Sequence, residues 1–167
     1  KKLQKTECHY PQYKDAFLFS ALTGLRFSDI LNLRKKDISY DKINGWSIKF
    51  TQQKTKGAEI LPISENAITI IDIDSKNDDD LVFTNLKYSA HYNTILRKWV
   101  EEAGIKKYIT FHCARHSFAT LQLTMNTDIY TVSKLLGHRH LKTTEIYAKV
   151  IDKKKIDAVS SIPNIFE

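Results

Sequence analysis

Residues Leu135 to Val150 read LLGHRHLKTTEIYAKV. An apolar pair is followed by Gly137 and His138, then by a short polar segment that ends in Thr-Thr-x-x-Tyr. Gly137 suits the left-handed position just past a helix end, and Thr143 suits the N-cap of the next helix. The stretch therefore predicts a helix end, a turn and a second short helix that orients the hydroxyl of Tyr147.

The charge of the chain is unevenly distributed. Its formal net charge is +7, yet residues 59–80 hold seven acids and one lysine, so the remainder carries +13. A chain polarised in this way is expected to have one strongly basic face. Such a face fits a polyanionic partner better than a small acidic substrate. A solvated surface that only keeps the protein soluble explains the charge equally well.

Length, cysteine content and hydropathy restrict the class of protein. A chain of 167 residues can build one domain with a real core, and we expect a single domain over residues 1–167. Two cysteines do not make a disulfide framework, which predicts a reducing cytoplasm. The apolar run Ala16 to Leu25 is interrupted and too short to span a bilayer. Because the chain opens at Lys1 without a methionine, we expect a domain taken from a longer protein.

Hydrophobic periodicity predicts an α+β fold that is mostly α-helical, with a small three-stranded antiparallel sheet. Alternating apolar residues predict strands between Asp37 and Ile63, with turns at Asn44-Gly45 and near Gly57. Ser28 is predicted to cap a helix, and Asp74 to Asp80 to form a solvated acidic loop. Helices are predicted at Gln12–Thr23, Ser28–Leu33, Glu65–Ile73, Tyr88–Ala103, Phe111–Thr124, Asp128–Leu136 and Ile151–Ser160.

Residues 23–29, TGLRFSD, place an arginine at a junction between two predicted helices. Backbone amides that open the second helix lie next to Arg26 in the chain, so the junction could bind an anion. The ordinary alternative is an arginine that pairs with Asp29 or caps the preceding helix. Taken alone, the string favours that alternative.

Residues 112–116, HCARH, put three basic side chains on one helix face, because residues three and four apart are neighbours. One alternative is a solvated basic face, and another is a core position for His116 secured by a hydrogen bond. A zinc site at His112 and His116 lacks the glutamate of the HExxH pattern and a clear third ligand. Residues 53–57, QKTKG, place Lys54 and Lys56 on a hairpin, where a lysine ordinarily protects a sheet edge or is simply solvated.

In this order, the four strings resemble the tyrosine recombinase (phage integrase) family over about Ala16 to Val150. The motifs TGLR-x-S-D, KT-x(6)-P, H-x-x-RH-S-F-A-T and LGH-x(8)-Y are each moderately specific, and together they are highly specific. The resemblance implies a catalytic domain of a mobile-element integrase. The catalytic residues that it implies are two phosphate-clamping arginines, a hairpin lysine, two histidines and a tyrosine nucleophile: Arg26, Arg115, Lys54, His112, His138 and Tyr147.

Three positions leave alternatives or depart from the family pattern. Asp29 stands where a glutamate is common. Lys56 competes with Lys54, and the spacing to the following proline favours Lys54. His140 competes with His138, and the preceding glycine favours His138.

The chemistry of a phosphodiester suits these residue types. Two guanidiniums can donate paired hydrogen bonds to the non-bridging oxygens and never deprotonate. A tyrosine has a reference pKa of about 10, and a basic pocket with a nearby histidine favours its phenolate. Lys54 can protonate the departing 5′-oxygen, while His112 acts as base or orients the phosphate and His138 donates to a non-bridging oxygen.

The resemblance implies a 3′-phosphotyrosyl intermediate with a free 5′-hydroxyl, so that rejoining needs no ATP. The glycines are isolated, so no nucleotide-binding loop is predicted. Asp78 to Asp80 are contiguous and read as a loop rather than a two-metal site. We therefore expect no cofactor and no metal.

Double-stranded DNA is the expected partner. The resemblance implies a monomer in isolation and a tetramer on DNA, with accessory DNA-bending proteins and no membrane, in the bacterial cytoplasm and associated with the nucleoid. No counterpart of the family's N-terminal core-binding domain is visible, so we expect weak, strongly salt-dependent DNA binding. Basic residues that could contact the DNA backbone or remain solvated are Arg34, Lys35, Lys36, Lys56, Lys106, Lys107 and Lys153 to Lys155.

The apolar tail, residues 161–167, resembles the segment that docks on a neighbouring subunit in this family. Docking within the same chain and disorder are the alternatives. Three other functions stay open at this point. They are a type IB topoisomerase, a non-catalytic DNA-binding regulator on the same scaffold, and a zinc hydrolase that uses His112, His116 and His138.

Overall fold

The computed structural model describes residues 2–51, 58–147 and 158–163. The chain divides into two compact units, residues 1–118 and 119–167. The single domain expected over residues 1–167 stays a prediction. None of the described helices is long and apolar enough to cross a membrane.

The described residues form seven α-helices, two 3-10 helices and one small sheet. The α-helices are α1 (Lys2–Lys5), α2 (Pro11–Thr23), α3 (Phe27–Leu31), α4 (Glu65–Ile68), α5 (Ala90–Glu102), α6 (His112–Thr124) and α7 (Ile129–Leu135). The strands are β1 (Ile38–Asp41), β2 (Gly45–Thr51) and β3 (Ala58–Pro62). Two 3-10 helices cover Lys35–Asp37 and Leu141–Tyr147. The predicted α+β class, mostly helical with a three-stranded antiparallel sheet, is confirmed.

The sheet has the order β1-β2-β3 and a register set by its apolar residues. Ile38 lies opposite Ile48, and Ile48 lies opposite Leu61. All three side chains are buried, as expected for cross-strand neighbours on one face. The predicted turn at Asn44-Gly45 is present, and Gly45 adopts a φ of 73°.

Aromatic side chains of α2 pack on other aromatic residues in the core of the first unit. Phe17 meets Trp99 edge-to-face with 5.8 Å between the ring centroids, and Phe19 meets Phe83 at 5.3 Å. Pro11 opens α2, where a missing N–H costs nothing. Gly24 closes α2 in the left-handed conformation, with φ 73°, and its N–H donates to the carbonyl of Ser20. This glycine belongs to the TGLR segment, and its turn ends the helix two residues before Arg26.

Among the helix ends predicted in the first unit, the cap at Ser28 and the end at Ile73 are wrong for a physical reason. Helix α3 begins at Phe27, and Arg26 rather than Ser28 occupies the N-cap, because the Arg26 carbonyl accepts from the amides of Asp29 and Ile30. Helix α4 ends at Ile68 rather than at Ile73. The run that follows is rich in β-branched residues, which lower helix propensity, and it continues only as isolated turns.

The second unit holds the stretch that opened the sequence analysis. Asp128 caps α7 through a 2.9 Å bond from the amide of Thr131 to its Oδ1. Gly137 has a φ of 58°, which confirms the predicted left-handed helix end. Thr143 is not an N-cap, because the 3-10 helix already begins at Leu141. Of the helix predicted over Ile151–Ser160, residues 151–157 lie outside the described residues, and residues 158–160 are helical.

Candidate active site

A cavity of about 560 Å³ in the first unit collects three of the predicted catalytic side chains. Arg26 reaches it from the N-cap of α3, and His112 and Arg115 reach it from the first turn of α6. The three side chains therefore share one hollow, while their catalytic roles stay predictions. The rest of the lining is Ser20, Leu25, Phe27, Ser28, Leu31, Tyr88, Asn93, Thr110 and Phe111.

Arg115 is the buried member of the group, with only 4% of its surface exposed. Its Nη1 donates a 2.6 Å hydrogen bond to the carbonyl oxygen of Gly24, two residues before Arg26. A guanidinium has five N–H donors in a rigid plane, so this bond also sets the direction of the remaining donors. The orientation of Arg115 is thus coupled to the loop that carries Arg26.

Arg26 lies next to a buried carboxylate. Its Nη1 is 3.8 Å from Oδ2 of Asp29, whose side chain is 2% exposed. The ion pair considered as the ordinary alternative is therefore present, and Arg26 lines the cavity as well. A buried carboxylate is costly without a nearby cation, and Arg26 supplies one.

The two histidines of α6 differ in environment. His112 is exposed and lines the cavity, whereas His116 is half-buried and meets the His112 ring edge-to-face at 4.5 Å. Burial lowers the pKa of His116 below its ordinary value, and the positive charge of Arg115 lowers this pKa further. Among the described residues, no three His, Cys, Asp or Glu side chains are placed to hold a metal ion.

An aromatic pair joins the two segments that carry Arg26 and His112. The rings of Phe27 and Phe111 meet edge-to-face with centroids 4.7 Å apart. Phe27 follows Arg26 in the chain and Phe111 precedes His112, so the pair joins the backbones of both. Such pairs add about 0.5–1.5 kcal/mol beyond the area they bury. Sequence reasoning missed this pair, although an aromatic residue directly beside each motif residue was a signal for it.

In the second unit, His138 is held by a buried threonine. Its Nδ1 lies 2.9 Å from Oγ1 of Thr144, a residue with no exposed surface. The backbone of His138 is held too, because its N–H donates to the carbonyl of Ser133 at the end of α7. Tyr147 ends the 3-10 helix that carries Thr144 and is 8% exposed. Sequence reasoning also missed Thr144, although it stands in the Thr-Thr-x-x-Tyr string.

Residues 2–154 match the sequence model of the phage integrase family. The chain belongs to this family. The predicted membership among the tyrosine recombinases is confirmed.

A curated relative of this integrase-family chain agrees with that assignment. The tyrosine recombinase of Thermosipho africanus is 36% identical over 155 residues, which are 89% of this chain and 53% of that protein. The chain thus spans about half the length of this relative.

Two solved structures are similar in fold. XerH site-specific recombinase in a post-cleavage complex with palindromic difH substrate has a TM-score of 0.72 and 24% identity, over 96% of this chain and 49% of that one. The catalytic domain of bacteriophage HP1 integrase has a TM-score of 0.65 and 22% identity, over 98% of this chain and 88% of that one. These similarities confirm the predicted catalytic-domain fold.

Two predicted residues of the integrase-family motif set, Lys54 and Lys56, lie outside the described residues. The same holds for Lys153 to Lys155 and for residues 164–167 of the tail. Lys106 and Lys107 are described and exposed. Their contact with DNA stays a prediction.

The basic residues 34–36 of the integrase domain contact the acidic loop predicted over Asp74 to Asp80. Lys36 Nζ pairs with Oδ1 of Asp79 at 2.6 Å, and the Arg34 guanidinium donates to the Asp79 carbonyl. Backbone bonds from Lys35 to Asp80, 3.0 Å, and from Lys36 to Asp78, 2.9 Å, fasten the loop. The hydrogen bond and charge of Lys36 lower the pKa of Asp79. The loop is exposed as predicted, but it also offsets part of the positive charge of residues 34–36.

Proposed function

We propose that this domain cleaves and rejoins DNA strands at specific sites through a covalent 3′-phosphotyrosyl intermediate. The observation that carries the proposal is the cavity in which Arg26, His112 and Arg115 lie together. Two guanidiniums and an imidazole around one hollow form a site for a phosphate rather than for a neutral ligand. Membership in the phage integrase family supports the same reaction.

Arg26 and Arg115 would bind the non-bridging oxygens of the scissile phosphate. Negative charge grows on these oxygens as the nucleophile attacks, and donors already directed at them stabilise the transition state. The bond from Arg115 to Gly24 and the pairing of Arg26 with Asp29 support a preorganised clamp. A clamp held in this way needs little rearrangement when the phosphate binds.

Tyr147 would supply the nucleophile. Its hydroxyl oxygen forms a bond to phosphorus while the bond from phosphorus to the 5′-oxygen breaks, and His112 accepts the phenolic proton. Lys54 protonates the departing 5′-oxygen. The reverse reaction with a new 5′-hydroxyl rejoins the strand, and the phosphodiester energy is conserved in the phosphotyrosine.

His138 would donate to a non-bridging oxygen from Nε2. When the Thr144 hydroxyl donates to Nδ1, the neutral ring carries its proton on Nε2. Thr144 is then a positioning residue that selects the tautomer able to donate.

Double-stranded DNA is the proposed partner, and the complex of the similar XerH structure with its difH substrate supports this. We further propose a monomer in isolation, a tetramer on DNA with accessory DNA-bending proteins, and a place in the bacterial nucleoid. The apolar tail would dock on a neighbouring subunit. Because the chain spans about half of a relative such as the Thermosipho recombinase, the whole protein would use a second DNA-binding domain to close around its site.

A suicide substrate of random sequence tests the chemistry without a defined target site. The protein is incubated with a pool of nicked duplexes, on which the short cleaved fragment diffuses away and traps the adduct. We expect covalent adduct with the unmodified protein and with Tyr130→Phe, which changes an exposed tyrosine, but none with Tyr147→Phe. Adduct that persists in Tyr147→Phe overturns the assignment of Tyr147 as the nucleophile. Absence of adduct from the unmodified protein overturns the proposed function.

A site recovered from this pool then separates recombination from relaxation. Two copies of it on one plasmid should recombine. Relaxation of the plasmid without recombination would favour a type IB topoisomerase. Binding without adduct would favour a non-catalytic regulator.

A further inference from the structure

We propose that Tyr88 is a stacking platform for the nucleobase next to the cleaved phosphate, an inference that rests on the proposed function. Tyr88 lines the same cavity as Arg26, His112 and Arg115. It is nevertheless 78% exposed, so most of its ring is open to a ligand. A large aromatic side chain beside a phosphate site can bind the base attached to that phosphate.

The ring of Tyr88 rests on a member of the aromatic pair beneath the site. Its centroid lies 5.7 Å from that of Phe27, with 54° between the ring planes. Phe27 follows Arg26 directly and packs on Phe111. Tyr88 is therefore the exposed end of an aromatic cluster whose interior positions the phosphate-binding residues, which places its ring at a set distance from them.

A buried tyrosine clamps the backbone just before the platform. The hydroxyl of Tyr13 donates to the Lys87 carbonyl at 2.5 Å and accepts the Lys87 N–H. Tyr13 is itself held, because it is buried and stacks on Tyr92 with centroids 4.2 Å apart and 9° between the planes. The backbone N–H and carbonyl of Lys87 are thus both bound to the Tyr13 side chain. The backbone directly before Tyr88 is therefore restrained.

The restrained backbone makes Tyr88 better suited to stack on a base than an unrestrained exposed tyrosine would be. A side chain that is already positioned loses less conformational entropy when a ligand binds. Every base has a π-face, so an aromatic platform accepts any base and contributes affinity rather than sequence selectivity. Strand cleavage interrupts the backbone at the phosphate and loosens the stacking of the adjacent base. The Tyr88 ring would replace the lost stacking neighbour and keep the cleaved end in place for rejoining.

The test uses a duplex recovered from the adduct pool, with 2-aminopurine at the base next to the cleaved phosphate. Stacking quenches 2-aminopurine fluorescence. We expect Tyr88→Leu to form a brighter adduct and to rejoin the strand about tenfold more slowly. Tyr88→Phe should behave like the unmodified protein, because it keeps the ring and removes only the hydroxyl. Tyr108→Leu is the matched control, since Tyr108 is 76% exposed and does not line the cavity.

Each outcome decides the proposal. Quenching and rejoining that are unchanged in Tyr88→Leu overturn the platform while the proposed recombinase chemistry stands. Loss in Tyr88→Phe equal to that in Tyr88→Leu overturns stacking, because the hydroxyl would then be the group that acts. An equal effect of Tyr108→Leu also overturns it. Absence of adduct from the unmodified protein overturns the proposed function and this inference together.

Discussion

The Nδ1 atom of His138 lies 2.9 Å from the Oγ1 atom of Thr144. Thr144 has no exposed surface, so water cannot take its place in this hydrogen bond. The Nδ1 atom of His138 is therefore engaged by a buried group of the protein, and Thr144, six residues further along the chain, orients the imidazole ring. A histidine that serves as a donor in catalysis requires this kind of control over its tautomer.

Replacing Thr144 with valine should slow strand cleavage about fivefold, because a hydrogen bond contributes about 1 kcal/mol and a tenfold rate change would need about 1.4 kcal/mol. Thr144→Ser keeps the hydroxyl and should restore most of the rate. The single-turnover rate of adduct formation measures both. Thr143→Val changes the exposed neighbour and should have no effect. Equal rates for Thr144→Val and Thr144→Ser would contradict the orienting role.

Arg115→Lys should lower the cleavage rate by about 10²-fold to 10³-fold, the range found when one donor to a developing negative charge is lost. A lysine keeps the charge but not the planar fork, and it cannot both reach the Gly24 carbonyl and present paired donors to the phosphate. Arg97→Lys makes the same exchange on the exposed face of α5 and should leave the cleavage rate unchanged. A full rate in Arg115→Lys would show that charge alone suffices.

Asp79→Asn should strengthen DNA binding if residues 34–36 contact the DNA backbone. The substitution removes the partner of Lys36, so one more cation becomes available to the phosphates. The slope of log K against log salt should steepen by about 0.9, the value for one additional phosphate contact. Binding titrations at several salt concentrations measure this slope. Asp74→Asn removes the same charge from the same loop without touching the Lys36 pair, and an equal gain there would indicate a general charge effect.

Stability should fall in acid because of His116. Burial, with a smaller contribution from Arg115, holds its pKa below the usual value of about 6.5, so the unfolded chain binds a proton more readily than the folded one. The stabilisation is fully present above about pH 6.5 and is lost as the pH falls through the folded pKa.

Urea unfolding at about pH 8 and about pH 5 tests this dependence. The loss of unfolding free energy between the two should be smaller in His116→Gln than in the unmodified protein. His140→Gln, which changes an exposed histidine, provides the control. An unchanged pH dependence in His116→Gln would remove this histidine as the cause.

Residue types and their spacing were enough to predict the family, the sheet and most helices, because these depend on short stretches of the chain. The apolar alternation that sets the β1-β2-β3 register and the glycine that ends α7 are local signals of this kind. The wrong predictions also concerned short stretches of the chain. The cap at Ser28 and the helix end at Ile73 failed because neighbouring backbone bonds and β-branched side chains outweighed the residue preference.

Contacts between groups far apart in the chain became visible only in the folded structure. The bond from Arg115 to Gly24 joins residues 91 positions apart, and the clamp of Tyr13 on Lys87 joins residues 74 positions apart. No pattern in either segment encodes its partner, because a hydrogen bond or ring contact forms only after the chain between them has folded. The motifs therefore predicted three side chains that line one cavity, while the long-range bond to Gly24 set the direction of Arg115. Tyr88 lies exposed beside them.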